Sequence, residues 1–140
     1  MTSRIGFVGV GRMGGNMARR LKDKGYEITS VQDCNSKTAK ALAQELGCEA
    51  SPTPARVSEI SDVILTVVTD DTSMDEIFSE TLPSSMLTHA KGKLFINFAT
   101  VSPEAHIMAE TRVEKNGGTN LEALMASSIK QARDGTLYLM

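Results

Sequence analysis

The chain has only two cysteines among 140 residues, Cys34 and Cys48, and they stand in no metal-like spacing. Two unclustered thiols fit a reducing compartment better than a disulfide scaffold. His89 and His106 are isolated, with no cysteine or acid at ligand spacing, so no metal site is expected. Neither sign of charge dominates. A net charge of −2 gives no general pull toward nucleic acid or an anionic membrane. No apolar run approaches the roughly 20 residues that span a bilayer. No basic segment with an apolar core precedes the first strand, so no signal peptide is expected. By elimination the expected location is the cytoplasm. Repeats, linkers and low-complexity tracts are missing too. What remains, 41% hydrophobic and 23% charged, is the composition of one globular domain able to bury a sizeable core.

The strongest positive signal lies at the N-terminus. Arg4-Ile5-Gly6-Phe7-Val8 reads as a short apolar strand, and Gly9-Val10-Gly11-Arg12-Met13-Gly14 follows as G-x-G-x-x-G. Met13, Met17 and Leu21 then recur at helical spacing. Glycines that close a strand and open a helix form the dinucleotide-binding fingerprint in its required setting. Gly9 allows the tight turn, Gly11 lets the backbone approach a diphosphate, and Gly14 lets the helix lie against the sheet. The diphosphate would face the helix N-terminus, with the amides of Val10 to Met13 as donors. Asp33 stands 22 positions after Gly11, at the end of the second predicted strand. In this fold a carboxylate there accepts hydrogen bonds from the adenosine ribose hydroxyls and repels a 2′-phosphate. Cys34-Asn35-Ser36 follow instead of an arginine, and the nearest cation is Lys37. NAD is therefore favoured over NADP. An aspartate in this position can also serve simply as a turn or capping residue.

Strands and helices alternate along the rest. Glu27–Gln32 is a predicted strand. Asn35 or Ser36 caps a helix carrying Ala39, Leu42, Ala43 and Leu46, and Gly47 ends it. Cys48–Ala50 is at most a short strand. Thr53-Pro54 starts a helix reaching about Ser61. Asp62–Val68 is continuously apolar and β-branched, as in a parallel strand covered on both faces. Thr72 to Asp75 starts another helix, with Asp75 as an imperfect capping-box partner. Leu94–Phe98 is a strand. Ser102-Pro103-Glu104 opens a helix that runs to about Lys115 and stops at Gly117-Gly118. Asn120–Met125 reads as a further strand, and Thr136–Met140 as the start of one more. The alternation predicts an α/β fold of the Rossmann type, a doubly wound, mostly parallel sheet, with residues 1–140 as one dinucleotide-binding domain. The chain ends inside a strand-like segment, which suggests a piece of a longer enzyme.

The stretch Phe7 to Leu21, with Arg12-Met13-Gly14 and Asn16-Met17 beside the glycines, resembles the β-hydroxyacid dehydrogenases. That family includes 3-hydroxyisobutyrate dehydrogenase, tartronate semialdehyde reductase and the 6-phosphogluconate dehydrogenases. Val10 replaces the family's usual leucine. Val67-Val68-Thr69-Asp70 stands where relatives have a strand ending in Leu-Pro. Asn97-Phe98-Ala99-Thr100-Val101-Ser102-Pro103 resembles the family's Asp-x-Ser-Thr-Ile-Ser-Pro, with Asn97 for the acid and Ala99 for the first serine. The resemblance implies that Val68, Thr69 and Thr100 line the nicotinamide side. Relatives carry Ser-Gly-Gly in a substrate-carboxylate loop, where this chain has Ala126-Ser127-Ser128. Ser127 and Ser128 would offer hydroxyl and backbone donors to an oxyanion, with a narrower approach.

The resemblance also implies an activity: hydride transfer between a nicotinamide cofactor and a small β-hydroxyacid. The family's acid/base lysine belongs to a second, all-helical domain that this sequence does not contain. Lys130 lies in the wrong segment for that role, so no catalytic residue is assigned here. General acid/base catalysis typically contributes ~10²–10⁴-fold, so this chain alone should bind cofactor and turn over poorly or not at all. A 6-phosphogluconate dehydrogenase-like or imine-reducing relative is the neighbouring reading. A non-catalytic, dinucleotide-binding redox sensor is the rival from another class. The apolar face left by a missing domain makes a homo-oligomer possible. Ser127 to Lys130 also fits S-x-x-K, but neither S-D-N nor K-T-G accompanies it.

Overall fold

The computed structural model describes residues 3–123 and 129–136. Six strands, β1 (Arg4–Val8), β2 (Glu27–Gln32), β3 (Glu49–Ala50), β4 (Val63–Thr66), β5 (Leu94–Asn97) and β6 (Thr119–Glu122), form one sheet. Their order is β3-β2-β1-β4-β5-β6, and every pairing is parallel. The connecting helices are α1 (Arg12–Asp23), α2 (Ser36–Leu46), α3 (Pro54–Ile60), α4 (Asp71–Ile77), α5 (Pro103–Lys115) and α6 (Ile129–Asp134). A parallel sheet needs such crossovers, and their handedness distributes the helices over both faces.

Alternation along the strands divides the core in two. On one face Ile5, Phe7, Val31 and Leu65 meet Met17 and Ala18 of α1, Leu42 and Leu46 of α2, and Ala132 of α6. On the other, Val8, Ile64 and Phe95 meet Val57 of α3, Met74 and Ile77 of α4, and Ala105, Ala109 and Val113 of α5. Phe78 and Phe95 pack edge to face there, ring centroids 5.9 Å apart. The expected doubly wound fold is therefore present, with the sheet wholly parallel.

Most helix starts follow their local chemistry. Asn35 caps α2, accepting from the N–H groups of Lys37 and Thr38, and Gly47 ends it at φ +71°. Thr53 caps α3, and Ser102 caps α5, with Pro54 and Pro103 at the first positions. Several boundaries differ from the expectation. The cap of α4 is Asp70, which accepts from Ser73 N–H at 2.7 Å, not Thr72. Asp75 makes no capping box. It receives Arg112 Nη1 at 2.9 Å instead. The fourth and fifth strands end at Thr66 and Asn97, because the chain turns away at the site end of the sheet. The sixth runs Thr119–Glu122, so Ala123 lies outside it, and 124–125 lie outside the described residues. A 3-10 turn at Met86–His89 buries Met86 and Leu87. The helix α6 has no counterpart in the sequence reading. Ala132 is buried against the α1 side, and Arg133 bonds Asp23 at 2.8 Å. Thr136 is in no strand, and 137–140 lie outside the described residues.

Candidate dinucleotide site

The strand order reverses direction between β1 and β4, and a crevice opens at their C-terminal ends. A cavity of about 420 Å³ lies there, walled by Gly9, Gly11, Gln32, Asp33, Val67, Val68 and Thr69. Pro54, Ser73, Glu76, Leu82 and Ser84 face them. A second cavity of about 280 Å³ shares Gly11 and Val67 to Thr69 and adds Arg12, Met13, Gly14, Phe98 and Thr100. Nearly all the residues proposed from sequence thus converge on one crevice. Ser127 and Ser128 lie outside the described residues.

The glycines differ in what they serve. Gly9 has φ +92°, and a Cβ there would collide with the Val67 carbonyl. A Cβ on Gly14 would collide with the Gly9 carbonyl. Both are demanded by the protein itself. Gly11 is different: an added Cβ meets no protein atom within 4 Å. The fold does not need a glycine there, and the residue faces both cavities.

The start of α1 carries the electrostatic signal. Helices α2 to α5 each have a side-chain cap. Gly11 gives α1 none, and its first turn holds no acid. Free N–H groups and the positive dipole end therefore face the cavity. Arg12 adds an exposed cation. This donor set fits an anionic diphosphate. The Val10 N–H, expected among the donors, is taken by Asp33 Oδ1 at 3.2 Å, and the Val10 side chain is buried.

Asp33 is half-buried just past β2, and its Oδ2 also accepts from Asn35 N–H at 3.1 Å. A carboxylate has about four acceptor positions, so capacity remains for ribose hydroxyls. Turn residue and ligand acceptor are compatible roles here. On the other side of Gly11, Val67 N–H bonds Val8 O at 2.8 Å and Phe98 N–H bonds Thr66 O at 2.9 Å. These bonds seat the turns after β4 and β5 beside each other. Asn97 is fully buried, accepting from the Thr66 hydroxyl and donating to Asn120 Oδ1 at 2.6 Å. Ala99 is buried in the core, leaving Thr100 exposed in the turn.

Gln32, Cys34, Pro54, Ser73, Glu76 and Ser84 line the larger cavity and were not singled out from sequence. They come from four separate segments, and no spacing announces them. Lys130 bonds Asp134 one turn on along α6, at 3.0 Å. His106 Nε2 lies 3.7 Å from Glu122. Among the described residues no three ligand-type side chains gather for a metal, and no helix is long and apolar enough to cross a membrane.

The family described as the NAD binding domain of 6-phosphogluconate dehydrogenase matches residues 4–140. The chain belongs to that family. This NAD-binding domain is 30% identical over 137 residues to mitochondrial 3-hydroxyisobutyrate dehydrogenase of Mus musculus, covering 97% of this chain and 40% of that protein. It is 30% identical over 141 residues to 2-hydroxy-3-oxopropionate reductase of Escherichia coli (strain K12), covering 98% of this chain and 46% of that protein. These relatives agree with the resemblance of Phe7 to Leu21 to the β-hydroxyacid dehydrogenases. The chain spans less than half the length of either relative. Its fold is that of the Mycobacterium tuberculosis 3-hydroxyisobutyrate dehydrogenase solved with L-serine, at TM-score 0.86 and 23% identity. That match covers all of this chain and 46% of the other.

Proposed function

We propose that this domain binds NAD(H) in preference to NADP(H) and is the cofactor half of an oxidoreductase acting on a small β-hydroxyacid. The observation that carries this reading is the uncapped start of α1 and Asp33 on one cavity, joined by Gly11. Gly9, Gly11 and Gly14 shape the cradle, and the amides of Arg12 and Met13 remain for the diphosphate. Asp33 takes the adenosine ribose and opposes a 2′-phosphate by charge. Val68, Thr69 and Thr100 bound the nicotinamide end. Ser127 and Ser128 serve the substrate carboxylate. When bound, the nicotinamide supplies hydride transfer, and this domain supplies binding and orientation. No residue of this chain is assigned as the acid/base group, and on this reading the domain alone binds cofactor with little turnover.

Titrating the chain with NADH and NADPH by calorimetry tests the reading. Tighter NADH binding, weakened in Asp33→Ala, is expected. Tighter NADPH binding would overturn the assignment of Asp33. Binding of neither would overturn the reading as a whole.

A further inference from the structure

The turn at 98–102 brings Thr100 to the smaller cavity, and three hydrogen bonds hold it. Phe98 N–H reaches Thr66 O at 2.9 Å. The buried His106 ring places Nε2 3.2 Å from Ala99 O. Ser102 N–H donates to Asp71 Oδ1 at 2.9 Å. The third bond differs in kind, because its acceptor comes from another crossover. Asp71 is the first residue of α4 and directly follows the turn at 67–70, whose Val68 and Thr69 line that same cavity. One carboxylate therefore joins the starts of α4 and α5 across the crevice mouth.

We propose that Asp71 is a positioning residue: by bonding Ser102 N–H it fixes the turn carrying Thr100 against the turn carrying Thr69, and so sets the grip on the nicotinamide half of the coenzyme. The inference rests on the cofactor reading above. Asp71 is exposed and takes no part in the core, so its replacement leaves packing intact. Ser102, first through its side-chain hydroxyl and then through its backbone N–H, holds the Asp71 carboxyl below the usual carboxylate range, so the acceptor stays ionised at neutral pH.

The experiment compares NADH with ADP, which lacks the nicotinamide and its ribose, on the full chain and two variants. Wild type should bind both. Asp71→Ala should weaken NADH about fivefold, the equivalent of one hydrogen bond, and leave ADP unchanged. The rise in nicotinamide fluorescence on binding should shrink in parallel. Asp71→Asn keeps an acceptor oxygen and should restore NADH binding. Unchanged NADH affinity in Asp71→Ala overturns the proposal. So does equal weakening of NADH and ADP, which marks general loosening, or an Asp71→Asn variant that fails to rescue. Wild type binding neither ligand would overturn the cofactor reading and this inference together.

Discussion

The backbone N–H of Val10 donates to Asp33 Oδ1 at 3.2 Å, tying the glycine turn to the end of β2. One side chain thus shapes the turn and presents charge to the cavity. The two contributions separate by substitution. Asp33→Asn removes the charge and leaves a single acceptor oxygen, which can serve Val10 N–H or Asn35 N–H but not both. Its melting temperature should fall less than that of Asp33→Ala, while the NADH-to-NADPH affinity ratio falls about tenfold. Asp33→Ala also frees two N–H groups and should cost about 1 kcal/mol or more of stability in a urea titration.

Gly11 and Gly14 make a second contrast. Gly14→Ala drives a methyl into the Gly9 carbonyl, and overpacking of this kind costs about 1–3 kcal/mol. Gly11→Ala meets no protein atom and should lose about 1 kcal/mol or less, through poorer capping. Its dinucleotide affinity should nonetheless fall at least about tenfold, because the methyl stands where the backbone must approach the ligand. Thermal melting beside NADH titration checks both. A Gly11→Ala variant binding NADH like wild type would remove Gly11 from the site.

The acid limb of stability should depend on capping. Asp70 is held below the usual carboxylate range by Ser73, first through its backbone N–H, and Asp62 by its hydrogen bonds from Arg4. A depressed folded-state pKa means stability that is present above the unfolded value, about 4, and lost as pH falls through the folded value. Asp70→Asn still caps α4 but cannot titrate. It should melt like wild type at pH 7 and lose less on acidification below about pH 4, as followed by circular dichroism.

Asn97 bonds the Thr66 hydroxyl and Asn120 from a fully buried position. Asn97→Ala leaves the buried Thr66 hydroxyl without its acceptor and should destabilise the domain by about 1–3 kcal/mol in urea. A loss under about 0.5 kcal/mol would mean that this network contributes little.

The chain's departures from its family acquire physical reasons in the structure. Asn97 replaces an acid yet sits in a buried hydrogen-bonded set. Ala99 replaces a serine, but its side chain is packed among apolar neighbours and only its carbonyl is engaged, by His106. Neither substitution changes what Thr100 offers to the crevice. Sequence alone could flag the changes without saying which face each side chain takes.

Local chemistry fixed much of the architecture. The cap pairs Thr53-Pro54 and Ser102-Pro103, the Gly47 stop, and the glycine turn into α1 act over a few residues, and the structure keeps them all. The β2 boundaries agree as well. Position 70 to 72 was not decidable that way, because Asp70, Asp71 and Thr72 are all able to cap. Contacts from distant segments chose among them: Ser102 engages Asp71, and Arg112 draws Asp75 outward. The helix α6 likewise carries little signal of its own and is placed by its contacts with α1. The far wall of the crevice, Pro54, Glu76 and Ser84, belongs to the same class. Sequence by itself determined the fold type and the dinucleotide turn, since strand periodicity, capping and glycine geometry are short-range. Only the tertiary structure decided which amides stay free, which acids become tethers and what faces Asp33. Those outcomes depend on groups brought together by sheet order across dozens of residues.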